Sequence, residues 1–333
     1  MNYILLSVGA LLYFGVISDI IMTTLTVKGG GWMTSKISHW LWNVFFVLSG
    51  RNGKSSLLTH AGYVLLVTVM MVWVIALNSS FILILMSETD AIINSTTKLP
   101  ADIWQKIYYS GFVLSTLGLG DYIPSSNFWR IVTILFSFTG LIFITMSITY
   151  FIPVLSAVIK KRKLGIELSS LGDSPQDIVI NAMSVNDFDH FKFHMLTLSS
   201  DLVEHSENHK AYPVIHFFHN NNKENAIILQ IAKLNEAIYI IKNYVNTDVE
   251  ANIRLLSNME SAINNYIEVV IEVGSAQLKD YNVDKIKMNE LKRKGLLKPN
   301  LQNKKPDKKM QRRQSVLYTL IKYDGWEWND VIQ

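Results

Sequence analysis

A six-residue loop, Thr116-Leu117-Gly118-Leu119-Gly120-Asp121, has residue types and a spacing that predict a specific chemistry. Glycine adopts positive φ without steric cost, so a loop with glycine at every second position can alternate between left- and right-handed turns. Such a loop aims successive backbone carbonyls in one direction, where they can replace the hydration shell of a cation. We predict that the leucine side chains turn away and pack behind the loop, while the threonine hydroxyl adds an inner ring of oxygens. The predicted ion-coordinating residues are Thr116, Leu117, Gly118, Leu119 and Gly120.

The elements around this loop are those needed to hold it inside a membrane. It lies between two long apolar segments, about residues 61–87 and 127–159, and follows an aromatic run from Trp104 to Phe112. Asp102 is typical of a helix start, and the helix from there to about Ser115 is too short to span a bilayer. Its partly negative C-terminal end would point toward the membrane centre and favour a cation there. Because one chain supplies one loop, a closed ring requires four copies, and we predict a homotetramer.

Together with the preceding Tyr108-Tyr109-Ser110 and the following Tyr122, the loop resembles the pore signature of potassium channels, commonly Thr-Val-Gly-Tyr-Gly-Asp. The resemblance covers roughly residues 61–160 and is to the two-helix pore module of bacterial ion channels. Leu119 replaces the usual tyrosine, and in this respect the loop is similar to the second pore loop of two-pore-domain potassium channels, Thr-Ile-Gly-Leu-Gly-Asp-Tyr. The resemblance implies a tetrameric, non-enzymatic potassium channel in which K⁺ is the permeant ion and no cofactor is needed.

The residues that would support the filter are Tyr108, Tyr109 and Asp121. Since Leu119 has no hydroxyl, we expect apolar packing against the two tyrosines to replace the hydrogen bond that a filter tyrosine makes in many channels. Phe112 stands where some bacterial channels carry a glutamate that pairs with the filter aspartate, so Asp121 is expected to lack that partner. A weakly selective cation channel therefore remains an alternative function.

Composition divides the chain into an apolar first half and a polar second half. Of the 333 residues 49% are hydrophobic, which is unusual for a soluble protein, and the net charge of +4 does not suggest a nucleic-acid partner. The chain has no cysteine, so disulfides and thiolate metal sites are excluded. The predicted fold class is an all-α membrane protein with three transmembrane helices, a re-entrant pore helix and a cytosolic α-helical domain.

The predicted spans run from about Tyr3 to Val27, Ala61 to Met86 and Phe128 to Ile159. Residues 28–60 contain basic residues and no acid, and the run 160–163 after the third span is wholly basic. The positive-inside rule makes both segments cytoplasmic and the N-terminus extracellular or periplasmic, in a multi-pass protein of the cell membrane. Anionic lipid could bind the basic segments of the chain, among them residues 285–313. The stretch from Trp40 to Leu48 is too short to span and is predicted to lie at the interface.

Four residues of the third span are candidates for an inner gate. Gly140 is a possible hinge, and Pro153 removes a helix hydrogen bond and tends to kink the helix. Thr145 and Thr149 are spaced i, i+4 and could face a water-filled cavity. Packing between membrane helices explains such residues equally well, so both interpretations stay open.

Beyond residue 164 the apolar residues repeat every three or four positions, which predicts amphipathic helices. A core within one subunit is favoured over a coiled coil between subunits. The break at residues 246–248 is typical of a turn, and residues 285–313 are expected to be a flexible basic linker. We predict four segments: 1–60 with the first span and the interfacial helix, the pore domain 61–163, a regulatory domain 164–284, and a basic tail with a C-terminal helix, 285–333.

Histidines are concentrated in the predicted cytosolic domain, and pairs four residues apart can place two imidazoles on one helix face. Such pairs can bind a metal or respond to pH near neutrality. The candidate metal ligands are His190, His194, His205 and His209, although solvated or core-edge histidines are the commoner case. If they bind a metal, an alternative function is a membrane-attached sensor or metalloenzyme.

Overall fold

The computed structural model describes residues 1–27, 29–183, 188–245, 250–273, 288–299 and 306–332, without the side chains of residues 188–190, 192, 250–253, 255 and 273. The chain divides into two compact units, residues 1–39 with 64–154 and residues 40–63 with 155–333. The predicted fold class is confirmed, since three helices are long and apolar enough to cross a membrane and further helices follow them. The two units group the chain differently from the four predicted segments, because the first span joins residues 64–154 and residues 40–63 join residues 155–333.

The first half of the chain contains five α-helices and two short strands. They are α1 (Tyr3–Thr24), α2 (Trp32–Leu48), α3 (Ala61–Met86), β1 (Ile92–Asn94), α4 (Ile103–Leu114), β2 (Tyr122–Pro124) and α5 (Asn127–Ser169), with a 3₁₀ turn at Ser56–His60 before α3. The predicted bounds of the second span match α3, whereas α5 continues well beyond Ile159. At 1.5 Å per residue, its 43 residues extend about 64 Å, twice the thickness of a bilayer core.

In the first unit, α1 packs against α3 and α5 through small and aromatic residues. A Cβ on Gly9 would lie 2.7 Å from the Ile84 side chain, so the glycine permits close approach of α1 and α3. The Tyr13 hydroxyl lies 2.8 Å from the Thr139 hydroxyl of α5, and its ring lies 4.9 Å from Phe136. These contacts place α1 beside α3 and α5.

The second half of the chain is helical where it is described. Its helices are α6 (Pro175–Ala182), α7 (Phe188–Ala211), α8 (Ile227–Tyr244), α9 (Glu250–Val273), α10 (Asn289–Arg293), α11 (Lys308–Tyr323) and α12 (Asn329–Ile332), with 3₁₀ turns at Pro213–Phe217 and Lys223–Asn225. Nearly every residue of α8 is buried, and the apolar residues of α6, α7, α9 and α11 surround it. The predicted core within one subunit is therefore present. The predicted turn at 246–248 lies outside the described residues.

The expectation of a flexible linker over residues 285–313 is wrong where the structure describes that segment. Asp307 caps α11 by accepting a hydrogen bond from the Met310 amide at 2.7 Å. Arg313 is buried and pairs with Glu260 at 2.9 Å, and Lys242 pairs with the same carboxylate at 2.6 Å. These ion pairs explain why an acidic residue interrupts the apolar stripe of α9. Trp326 and Trp328 are also buried, so the chain end packs on the helical core.

Candidate functional site

The candidate site begins where α4 ends, and the end of this helix fixes the start of the loop. The Leu117 amide donates to the Phe112 carbonyl at 2.9 Å, and the Thr116 amide donates to the Val113 carbonyl at 3.1 Å. These two bonds form a Schellman motif, in which the residue after the C-cap adopts the left-handed conformation. That residue is Thr116, with φ of 60°. A side chain in this region costs about 1–2 kcal/mol, and such strain is concentrated at functional sites.

The backbone of the loop alternates between left-handed and right-handed conformations. Thr116, Gly118 and Gly120 have φ of 60°, 60° and 79°, whereas Leu117 and Leu119 are not among the described residues with positive φ. The alternation needed for carbonyls to point in a common direction is therefore present, and it includes a threonine where sequence reasoning considered only the glycines.

The leucine side chains of the loop are exposed in a single chain. Leu117 is 64% exposed and Leu119 is 51% exposed. Their packing behind the loop stays a prediction. In a closed ring, the side chains behind each loop would come partly from the neighbouring copy. Their exposure in a single chain is consistent with such a ring.

The short helix α4 is held on several sides. Asp102 and Gln105 form a reciprocal capping box at its start. The Lys106 ammonium is buried and donates to the carbonyls of Leu85 and Glu88 at 2.9 and 2.7 Å. Further along, the Ser110 hydroxyl donates to the Asn78 side chain of α3 at 2.6 Å. These bonds set the direction in which α4 delivers the loop.

The two tyrosines predicted to support the filter have different surroundings. Tyr109 is buried against Phe81 and Phe112, and its hydroxyl lies 2.8 Å from the Thr133 hydroxyl of α5. This ring therefore joins α4 to α3 and α5, and its expected packing against Leu119 stays a prediction. Tyr108 is partly exposed, and its hydroxyl faces the Asp121 carboxylate.

Asp121 is also held through its backbone. Its carbonyl accepts a hydrogen bond from the Ser95 amide at 2.8 Å. This bond continues the antiparallel pairing of β1 with β2, in which Ile92, Ile93 and Asn94 face Pro124, Ile123 and Tyr122. The two strands tie the segment before α4 to the segment after the loop, so both ends of the loop are fixed.

The four gate candidates lie on α5. A Cβ on Gly140 would lie 1.9 Å from the Leu114 carbonyl oxygen, so this glycine is required for close packing of α5 against the end of α4. Its role as a hinge stays a prediction. The hydroxyls of Thr145 and Thr149 donate to carbonyls one turn earlier, and both residues are exposed in a single chain. Pro153 lies inside α5, which remains helical through it.

The four histidines proposed as metal ligands are not brought together. His194 is exposed and lies about 16 Å along α7 from His205, and the His190 side chain lies outside the described residues. His205 and His209 are both buried, with ring centroids 5.9 Å apart. Across the described ranges, no three histidine, aspartate or glutamate side chains are grouped so that they could hold a metal ion.

The basic run after the third span is engaged within the second unit. Lys160 pairs with Glu204 at 2.5 Å, and Lys163 pairs with Asp201 at 3.3 Å. The buried Lys161 ammonium donates to the carbonyls of Ile215 and Phe218 at 3.1 and 2.9 Å. Binding of this run to anionic lipid remains a prediction.

Comparison with known proteins agrees with this geometry. Residues 63–157, from the start of α3 into α5, match a family described as an ion channel family. The uncharacterized membrane protein YdjJ of Bacillus subtilis (strain 168) is 35% identical over 263 residues, which are 79% of this chain and 76% of that protein. The chain belongs to the ion channel family. No solved structure matches it.

In this ion channel, sequence reasoning missed one polar residue that organises the first unit. Asp19 of α1 is fully buried and accepts hydrogen bonds from the Met33 amide, the Thr34 hydroxyl and the Trp73 indole at 2.7, 2.6 and 2.9 Å. Its carboxylate therefore lies at the N-terminus of α2, where the helix dipole favours an anion. A Cβ on Gly31 would overlap this carboxylate, so only glycine fits at this position before α2. The signal was a lone charge inside an apolar span.

Proposed function

We propose that four copies of this chain form a potassium-selective channel in which K⁺ passes through carbonyls of residues 116–120. The observation that carries the proposal is the alternation of backbone hand from Thr116 to Gly120, directly after the Schellman motif that ends α4. Alternation turns the carbonyls of neighbouring residues toward one side, and the C-terminal end of α4 adds a partial negative charge.

The proposed homotetramer is supported by apolar surface that one chain leaves exposed. Leu117 and Leu119 of the loop are more than half exposed, and α5 exposes a series of large apolar residues that includes Ile134, Phe138 and Ile142. Lipid and neighbouring subunits together would cover such surface. The mass of the detergent-purified complex, measured by light scattering corrected for detergent, tests this state, and any mass other than four chains contradicts it.

The proposed orientation places the second unit in the cytoplasm and the N-terminus outside, because basic residues flank the spans on one side. The inner helix α5 runs without interruption from the pore module to Ser169. We infer that movement of α5 opens and closes the pore and that the cytosolic helices act on it through this continuous helix.

A flux assay tests conduction through this loop. Purified protein in liposomes loaded with K⁺ should release the ion when a proton ionophore balances the charge. Gly118→Ala should abolish release, because φ of 60° is strained for any side chain. Gly15→Ala is the matched control, since a Cβ at Gly15 in α1 would have no neighbour within 4 Å. Release that persists in Gly118→Ala would mean that the loop is not the pathway.

A weakly selective cation channel is the second candidate, and Leu119 favours it. This side chain has no hydroxyl, so it cannot make the hydrogen bond that fixes filter width in channels with tyrosine there. If the pore conducts Na⁺ substantially, Leu119→Tyr should reduce the Na⁺ to K⁺ permeability ratio. An unchanged permeability ratio would show that residue 119 does not determine the selectivity.

A further inference from the structure

The second unit contains a cavity, lined by both apolar and titratable side chains, that conduction does not explain. Its volume is about 40 Å³. A buried water needs roughly 10–15 Å³, so the cavity has room for about three waters or one small oxyanion. The titratable groups that line it are Lys161 of α5, His205 and His209 of α7, His216, Tyr266 of α9, and the ion pair of His219 with Asp324.

Several polar atoms around this cavity lack partners within the protein. His205 and His209 are each only 3% exposed, and yet Nε2 of His205 and both ring nitrogens of His209 have no hydrogen-bond partner in the described part of the chain. An unpaired buried polar group costs about 1–3 kcal/mol, so such groups usually serve a purpose. Three unpaired imidazole nitrogens beside one cavity point to a ligand that supplies their hydrogen bonds.

The charge of the cavity favours an anion. The Lys161 ammonium donates to two backbone carbonyls, which leaves one of its three hydrogens for the cavity. Burial lowers the pKa of Lys161 to about 8, which still leaves it mainly charged at neutral pH. The one lining carboxylate, Asp324, is engaged by His219 at 3.0 Å. Lys161 is therefore a buried cation whose charge no neighbouring carboxylate fully balances.

The histidines alone would also suit a transition metal, but the rest of the site argues against it. A cationic ammonium beside His205 repels a metal ion, and the carboxylate of Asp324 is occupied by His219. As stated above, no metal-binding group of three acidic or imidazole side chains exists among the described residues. The hydrogens available in the cavity belong to an ammonium, neutral imidazoles and the Tyr266 hydroxyl, all of which can donate to an oxyanion.

We propose that this cavity is a binding site for a small oxyanion of the phosphate class, held by Lys161, His205 and His209. The anion accepts hydrogen bonds from the ammonium and from imidazole N–H groups, and its charge favours protonation of the imidazoles. Lys161 lies on α5, eight residues after Pro153 of the same continuous helix. An anion bound in the cavity therefore contacts the same helix that carries the gate candidates.

The test is equilibrium binding of sulfate and of inorganic phosphate to the full-length protein in detergent, by calorimetry in HEPES buffer. We expect one saturable site per chain for each anion. Charge-assisted hydrogen bonds of this kind predict a loss of roughly tenfold or more in affinity for His209→Gln and for His205→Gln. His194→Gln is the matched control, because this histidine lies on the same helix but is exposed.

Two further measurements sharpen the result. Sulfate keeps its charge between pH 8 and pH 6, so its binding should tighten as pH falls if imidazoles take up protons with the anion. In wild-type protein, NMR signals of the His209 ring nitrogens should shift on titration with sulfate, which requires no variant to fold. A parallel titration with AMP distinguishes free phosphate from a phosphate group on a larger molecule, since only the latter would give AMP the higher affinity.

Absence of saturable binding by both inorganic anions would overturn the proposal, as would equal affinity in wild type and His209→Gln. Zn²⁺ binding that requires His209, without any oxyanion binding, would identify a metal site instead and would also overturn it. Because binding is measured without ion flow, its outcome is independent of whether the pore conducts potassium.

Discussion

Gly140 and Thr116 constrain the same short segment from two directions. Thr116 continues the chain from the end of α4 in a left-handed conformation, and Gly140 of α5 lies against the Leu114 carbonyl two residues earlier. Both determine where the first carbonyls of the loop point.

Replacement of Gly140 by alanine should displace the end of α4. The added Cβ would lie 1.9 Å from a backbone oxygen that cannot rotate away, and overpacking of this kind costs about 1–3 kcal/mol. We expect a lower thermal unfolding temperature and loss of K⁺ flux in liposomes. Gly15→Ala should change neither property, and a Gly140→Ala channel with normal stability and flux would refute the packing role.

Asp19 should contribute as much to the stability of the first unit as an apolar core residue does. Asp19→Asn removes the charge at the start of α2 and turns one acceptor oxygen into a donor that faces other donors. We expect a loss of about 1–3 kcal/mol in stability, measured by thermal unfolding in detergent. Asp90→Asn is the control because Asp90 is exposed, and equal behaviour of the two variants would contradict this account.

Among the elements, α7 carries two of the groups that contribute to the response of the second unit to acid, and the buried Glu236 of α8, whose pKa burial raises to about 7, titrates in the same range. Burial lowers the pKa of His205 to about 3, and burial with nearby cationic groups lowers the pKa of His209 well below its usual value. Burial favours neutral His219 as well, but the Asp324 carboxylate and the Gly53 carbonyl outweigh it and raise its pKa. As pH falls, His205 and His209 therefore lower the stability of the folded state, whereas His219 raises it.

Stability of the second unit should decrease as pH falls below about 6.5, since the unfolded chain then binds protons that folded His205 and His209 do not. Each histidine contributes about 1.4 kcal/mol per pH unit down to its folded pKa. His219 acts in the opposite direction and reduces the slope. Tryptophan fluorescence during thermal unfolding, in buffer free of oxyanions, measures this dependence.

The double variant His205→Gln, His209→Gln should flatten that slope, whereas His194→Gln should retain it. An equal slope in the double variant and the wild type would show that these imidazoles are not the source of acid sensitivity.

The long apolar helices and the short helix after Asp102 could be predicted from the sequence, whereas the short strands and the charged helix α11 could not. The bounds of α3 follow from an uninterrupted apolar run, and Asp102 predicts the start of α4. In contrast, β1 and β2 have three residues each, too few for a periodic pattern. Several of the basic residues that suggested a linker, from Lys308 to Arg313, belong to α11, and the ion pair of Arg313 forms only in the folded core.

The position of the loop and its alternating backbone could be predicted from the sequence, whereas the helix contacts that hold the loop could not. Alternating glycines identify the loop because positive φ is a local property of the chain. The positions of Tyr109, Gly140 and Asp19 depend on which helices meet, and a single sequence contains no direct record of those contacts. The cavity near Lys161 could not be predicted for the same reason, since its lining comes from α5, α7 and α9.

For the whole molecule, the central claim is selective conduction of potassium by an assembly of four chains. The family match supports an ion channel, and the loop geometry supports the carbonyl pathway. The apolar surface of the three spans, exposed in one chain, is the surface that lipid and the other subunits would cover. Conduction, selectivity and the number of subunits are properties of the complete assembly, so the decisive measurement uses the complete assembly.

The most direct test is the reversal potential of currents through purified full-length protein in a planar bilayer, with K⁺ on one side and Na⁺ on the other. The account predicts a reversal close to the potassium equilibrium potential, and no current from Gly118→Ala. A reversal near zero would identify a weakly selective pore. A reversal at the sodium potential, or no current at any voltage, would contradict the claim.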